Sequence, residues 1–114
     1  MLLIQKLTLD LIPSKAPQII HMDQYDSGRG LQIKITKNGD PCIIPAGITV
    51  TLEAGTGKGQ FRFPALSVSG DTVTFAIPKE LTDHAGTVLC GLSLENDKIS
   101  CGTQNFQIEV QQSS

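Results

Sequence analysis

Apolar and polar residues alternate with a period of two along most of this chain, and that rhythm predicts strands. Leu3, Leu7, Leu9 and Leu11 fall on one face of a first strand, with Lys6, Thr8 and Asp10 on the other. Leu31, Ile33 and Ile35 alternate with Gln32, Lys34 and Thr36, and Ile48, Val50 and Leu52 alternate with Thr49, Thr51 and Glu53. Val73, Phe75 and Ile77 repeat the pattern, followed by Val88, Cys90, Leu92 and Leu94, and finally Phe106, Ile108 and Val110. A strand with a single apolar face must cover that face against another element, so six such strands predict antiparallel sheets packed on a shared core. Less regular extended segments lie at 18–22, 60–63 and 66–68.

Turn-forming clusters separate these runs: Asp26-Ser27-Gly28, Asn38-Gly39-Asp40-Pro41, Pro45-Ala46-Gly47, Ser69-Gly70-Asp71 and Glu95-Asn96-Asp97-Lys98. Short strands punctuated at this spacing predict an all-β, antiparallel β-sandwich, with the immunoglobulin-like arrangement as one form of it. Residues 78–86 (PKELTDHAG) are the one place for a short helical turn, with proline near the start and glycine at the end. Residues 1–110 read as a single sandwich domain. The polar ending 111–114 (QQSS) reads as the start of a connector in a longer protein.

Bulk composition narrows the partners. A chain of 114 residues is the size of one domain, and such a chain buries about 65% of the surface that its unfolded form exposes. The net charge of −2, with no basic run longer than one residue, argues against nucleic acid or an anionic membrane as principal partner. The opening MLLIQKLTLDLIP is interrupted by Lys6 and Asp10, which breaks any signal-peptide core, and no segment approaches the ~20 apolar residues of a membrane span. Cys42, Cys90 and Cys101 form an odd set without C-x-x-C spacing, so free thiols and a reducing compartment are expected. The expectation is a soluble protein made in the cytoplasm.

Candidate chemistry is sparse. The stretch Gly55-Thr56-Gly57-Lys58-Gly59 looks like a phosphate-binding loop, but G-x-x-x-x-G-K-[ST] would need glycine at Leu52 and a hydroxyl at Gly59. An extended pattern, Gln60-Phe61-Arg62-Phe63-Pro64, follows in place of the helix whose N-terminus would receive a phosphate, so the glycines are expected to make a strand-to-strand loop with Lys58 at its tip. His21 and His84 have no second ligand at a metal spacing, and His84 beside Asp83 reads as an exposed loop histidine. Cys90 shares the apolar parity of Val88, Leu92 and Leu94, which predicts a buried, inert thiol. No catalytic constellation stands out, and neither an enzyme, a cofactor nor a metal site is expected. Sugar binding would need exposed aromatic platforms, for which only Phe61, Phe63 and Tyr25 are available outside the core pattern.

The loop Gln24-Tyr25-Asp26-Ser27-Gly28-Arg29 (QYDSGR) is unlike the others, because it gathers the only tyrosine, an acid, a glycine and an arginine. Tyr25 is expected to bury its ring and lock a corner between strands. Asp26 is expected to accept N–H bonds from Gly28 or Arg29 in an Asx-turn. Arg29 is expected to pair with Asp26 or to reach a partner's carboxylate or carbonyls, and with its five donors it is the better candidate of the loop for contacting a partner. Read with Leu7-Thr8-Leu9-Asp10-Leu11-Ile12-Pro13, Ile44-Pro45-Ala46-Gly47-Ile48-Thr49-Val50, Gly57-Lys58-Gly59-Gln60-Phe61, Val73-Thr74-Phe75, Ala85-Gly86-Thr87-Val88-Leu89-Cys90 and Gly102-Thr103-Gln104-Asn105-Phe106, this loop resembles the Q-Y-D-x-G-R signature of a known family. The family is the N-terminal domain of the baseplate upper protein of Gram-positive siphophages and related prophages. The chain departs from its pattern at His21-Met22-Asp23 and at Gly30.

The resemblance implies a non-enzymatic structural module of the virion tail baseplate, assembled in the bacterial cytoplasm. It implies attachment to the distal tail hub protein, contact with other baseplate subunits and an oligomeric setting. Gln24, Tyr25, Asp26, Gly28 and Arg29 are its structural or partner-binding candidates. The alternative is a carbohydrate-binding β-sandwich of a phage adsorption device. If GTGKG only turns the chain, Lys58→Ala changes unfolding free energy by less than about 0.5 kcal/mol; ATP or GTP binding by calorimetry that disappears in this variant contradicts the loop reading.

Overall fold

The computed structural model describes residues 3–12 and 16–113. Pro13 of the opening motif and Ser114 of the polar ending lie outside them. Among the described residues the chain forms β1 (Leu3–Asp10), β2 (Gln18–Asp23), β3 (Arg29–Lys37), β4 (Asp40–Pro41), β5 (Thr49–Thr56), β6 (Gly59–Pro64), β7 (Ser67–Ser69) and β8 (Thr72–Ala76). A 3-10 turn at Lys79–Leu81 precedes β9 (Gly86–Glu95), β10 (Ser100–Gly102) and β11 (Phe106–Gln111). The six regular runs and the three weaker ones are all strands, and the helical turn falls inside 78–86.

The strands divide into two sheets. One has the order β1-β3-β8-β7 with β4 beside β3; the other has the order β2-β11-β9-β5-β6 with β10 beside β9. Their inner faces carry the alternating apolar residues: Leu9, Ile33, Ile35 and Phe75 on the first meet Leu52, Leu92, Phe106 and Ile108 on the second, all with almost no solvent contact. Leu3 shares the inward parity of Leu7 and Leu9, yet it is exposed, because the first residue of β1 overhangs the packed interior.

The sandwich is mixed where purely antiparallel sheets were expected. Most neighbours are antiparallel, but β1 pairs with β3 in parallel and β2 pairs with β11 in parallel. The reason lies in the path of the chain. After β1 it crosses to the other sheet for β2 and returns for β3, so β1 and β3 run the same way when they meet. Alternation reports which face of a strand is buried and carries no information on the direction of its neighbour.

Asp10 holds the crossing from β1. Its carboxylate accepts hydrogen bonds from Thr36 Oγ1 (2.7 Å), from the Ile12 N–H (2.8 Å) and from the N–H groups of Gly39 (2.9 Å) and Asn38 (3.2 Å). Asn38 and Gly39 both have positive φ (52° and 86°), the pairing that a two-residue hairpin turn between β3 and β4 requires. Their amides therefore point at the carboxylate. The Asp10 backbone is engaged too: its N–H donates to Gln104 Oε1 and its carbonyl accepts from the Gln104 N–H, which joins the end of β1 to the segment before β11.

The Thr36 hydroxyl first, and then the turn amides, hold the Asp10 carboxyl down at about 2. A carboxyl whose folded pKa lies below its unfolded value of about 3.9 stabilises the fold fully above that value and loses the contribution as pH falls through about 2. Unfolding by urea at pH 4.5 and pH 2 is thus expected to show a larger loss of stability on acidification for the native domain than for Asp10→Asn. Equal losses in the two proteins contradict the assignment.

Candidate partner-binding surface

Strand registers bring several loops to one end of the sandwich. Asp23 lies beside Gln111, Val110 beside Gly86, Thr56 beside Gly59, and Leu3 beside Arg29. The connection between β2 and β3, the turn between β5 and β6, the segment between β8 and β9 and the residues after β11 therefore share that end. Three of these are the stretches that sequence singled out: QYDSGR, GTGKG and PKELTDHAG.

QYDSGR carries the chain from one sheet to the other, and its backbone is held at nearly every step. The Gln24 N–H donates to the Gln111 carbonyl (2.7 Å), while the Gln24 side chain donates to the Asp83 carbonyl (3.1 Å) and accepts from the Ser113 N–H (3.2 Å). The Tyr25 N–H donates to the Thr82 carbonyl (2.8 Å), and the Thr82 hydroxyl donates to the Asp26 carbonyl (3.0 Å). The Asp26 N–H donates to the Asp23 carbonyl, and Asp26 Oδ2 accepts in return from the Asp23 N–H (3.1 Å) and from Arg29 Nε (2.9 Å). Gly28, at φ +76°, turns its carbonyl to the Leu3 N–H.

Two expectations for this loop change. Tyr25 does not bury its ring: it is 60% exposed and sits at φ +67°, a left-handed conformation that costs a non-glycine residue about 1–2 kcal/mol. The buried anchor of the corner is Thr82, from the 78–86 segment, which is fully covered and bonds to residues on both sides of the Tyr25 Cα. Asp26 binds Arg29 and the Asp23 amide, in place of the amides of Gly28 or Arg29. Of the two expectations for Arg29, pairing with Asp26 is the arrangement observed.

GTGKG is a tight hairpin. Gly55 and Thr56 close β5, Gly59 opens β6, Gly57 and Lys58 make the turn, and the Thr56 hydroxyl accepts from the Lys58 N–H. Lys58 Nζ lies 3.5 Å from Asp83 Oδ2, whose other oxygen lies 3.1 Å from His84 Nδ1. With these side chains open to solvent, such a chain of charges contributes at most about 1 kcal/mol. A cleft of about 430 Å³ separates the hairpin from the 78–88 segment, lined by Lys58, Glu80, Asp83, His84 and Thr87 among others. Among the described residues no group of three His, Cys, Asp or Glu side chains is placed to hold a metal ion.

The aromatic supply for a sugar platform is smaller than the sequence suggested. Phe61 and Phe63 stack on each other, with ring centroids 6.2 Å apart, and both pack against the core from the inner side of β6. Cys90 is buried with its thiol pushed up to about 12 by desolvation, Cys42 is half-buried and Cys101 exposed, and all three are free thiols.

Thr82 was hidden in the sequence because a threonine in a solvent-turn context carries no burial signal of its own. Its hydroxyl is the donor that lets the Asp26 carbonyl leave the sheet. Thr82→Val keeps the shape and removes that donor, so it is expected to lower unfolding free energy in urea by about 1–3 kcal/mol; a change under about 0.3 kcal/mol contradicts the clasp.

The fold agrees with a solved phage structure. Described as the N-terminal domain of phage TP901-1 ORF48, it superposes with a TM-score of 0.78 over 95% of this chain and 98% of its own, at 15% sequence identity. No curated protein matches the sequence. The model of the BppU N-terminal domain matches residues 3–114, nearly the whole length. The chain belongs to this family, the N-terminal domain of the baseplate upper protein, and is by that membership a structural module of a phage tail baseplate.

Proposed function

We propose that this domain attaches the baseplate upper protein to the distal tail hub, and that it does so through the end of the sandwich bearing QYDSGR. The observation that carries the reading is the gathering of the signature loop, the GTGKG hairpin, the 78–86 segment and residues 111–113 at one end. Loops held by a rigid sandwich are where such folds present contacts. Family membership supports interaction with other baseplate and tail proteins; the hub is the specific partner proposed. Assembly takes place in the bacterial cytoplasm, with several copies brought together in the virion, and the domain works without catalysis.

We also read residues 1–110 as the folded unit and 111–114 as the start of a connector. Gln111 still belongs to β11, and Gln24 holds both Gln111 and Ser113, so such a connector would leave the sandwich beside the signature loop. The alternative of carbohydrate binding is weakened, because two of its three candidate rings, Phe61 and Phe63, are partly buried against the core.

The test is size-exclusion chromatography of the purified domain with the purified distal tail hub protein, checked by calorimetry. A stable complex is expected. Absence of hub binding, together with retention of the domain on host cell-wall saccharide, overturns the reading in favour of carbohydrate recognition.

A further inference from the structure

Among the described residues, ten large hydrophobic side chains are exposed, and Tyr25 is the aromatic one of them. It is also one of two non-glycine residues with positive φ among the described residues. The other, Asn38, is of a type that adopts this conformation readily, and it occupies a hairpin turn that requires it. Tyrosine is poorly suited to the left-handed region, and the ring gains little from solvent in return. Such a residue persists only where its surroundings over-determine it, and an observed backbone outlier of this kind points toward function.

The surroundings do over-determine it. The Tyr25 N–H is bonded to Thr82, Gln24 is tied through backbone and side chain to Gln111, Asp83 and Ser113, and Asp26 is tied to Asp23, Thr82 and Arg29. All but the Asp26–Arg29 bond engage backbone groups, and none of them involves the Tyr25 ring. The effect is to hold one amphipathic ring outward in a single backbone conformation. Fixed tyrosines of this kind are favoured at binding hot spots, since little freedom is left to lose on association. Arg29, turned onto Asp26, serves as part of the mount.

The same end of the sandwich carries two further features. Leu3, exposed by more than half, donates its N–H to Gly28 of the same loop. The cleft between the GTGKG hairpin and residues 78–88 shares Asp83 with the bond that pins Gln24.

We propose that Tyr25 is the anchor by which this domain docks into a baseplate subunit, its ring entering a pocket on that protein with apolar walls and a hydrogen-bond acceptor for the phenol. This deepens the attachment proposed above and rests on it for the identity of the partner. The occupant is a protein, because the loop presents a single exposed ring, whereas a sugar chain stacks along a platform of several rings.

Tyr25→Asn separates anchoring from folding, since asparagine accepts the left-handed backbone. Its thermal midpoint is expected to equal or exceed that of the native domain, while its affinity for the purified hub protein falls at least about tenfold; Tyr25→Phe stays within about threefold, because the ring carries most of the contact. As the chain has one tyrosine, nitration by tetranitromethane read by mass spectrometry reports on Tyr25 alone. It is expected to be rapid in the free domain and suppressed in assembled tails. Loss of thermal stability parallel to loss of binding in Tyr25→Asn overturns the anchor, as does equal nitration in free domain and tails. If the native domain does not bind the hub, attachment to the hub is wrong, and protection of Tyr25 in tails then decides the anchor by itself.

Discussion

Where the chain leaves one sheet for the other, backbone amides lose their ladder partners and must find others in side chains, turns or solvent. The architecture depends on meeting this demand at both ends of β2, the strand inserted between β1 and β3. An aspartate serves each crossing. Asp10 gathers the amides of Ile12, Asn38 and Gly39 where the chain departs from β1. Asp26, with Thr82 on its carbonyl, does the same where the chain returns to β3. These two arrangements hold the chain where it leaves β1 and where it enters β3, the two strands that lie parallel in one sheet with β2 in the other.

Much of this fold could be read from residue alternation, and the limits of that reading are physical. The inner faces, the strand positions and the inert character of Cys90 follow from period two, because burial imposes it residue by residue. Strand direction does not, so the parallel pairings at the β1 and β2 edges were invisible. Asp10 alternates correctly onto the polar face and so looked like an ordinary solvent-facing acid; its partners come from a turn far along the chain. The signature loop shows the same limit at finer scale. Its composition marked it out, but a positive φ at Tyr25 has no glycine to announce it, and the expected buried ring is an exposed one. The anchor of that corner is a threonine more than fifty residues away, joined to it only by the fold.

The candidate surface was legible in pieces and illegible as a whole. QYDSGR, GTGKG and PKELTDHAG were each distinguishable as sequence, and each had an isolated reading: a corner, a turn, a helical fragment. Register alone brings them to one end. The hairpin closes more tightly than a flexible loop would, and Lys58 at its tip leans on Asp83 of the neighbouring segment. Family membership then gives this clustering a setting in a tail baseplate, while the low identity to the solved phage domain means that particular side chains have to be argued from this chain itself.

The glutamines along the seam between the sheets have a different consequence. β1 and β2 are the outer strands of their respective sheets and lie on the same side of the sandwich, where bare carbonyls would invite an incoming strand. Gln5 donates to the His21 carbonyl and Gln18 donates to the Thr8 carbonyl, so each side chain stitches its own sheet to the border of the other. Two of the acceptors that a stray strand would need are thereby occupied from within. Where copies of this domain crowd side by side, that border offers a poorer template for cross-β pairing than two bare edge strands would.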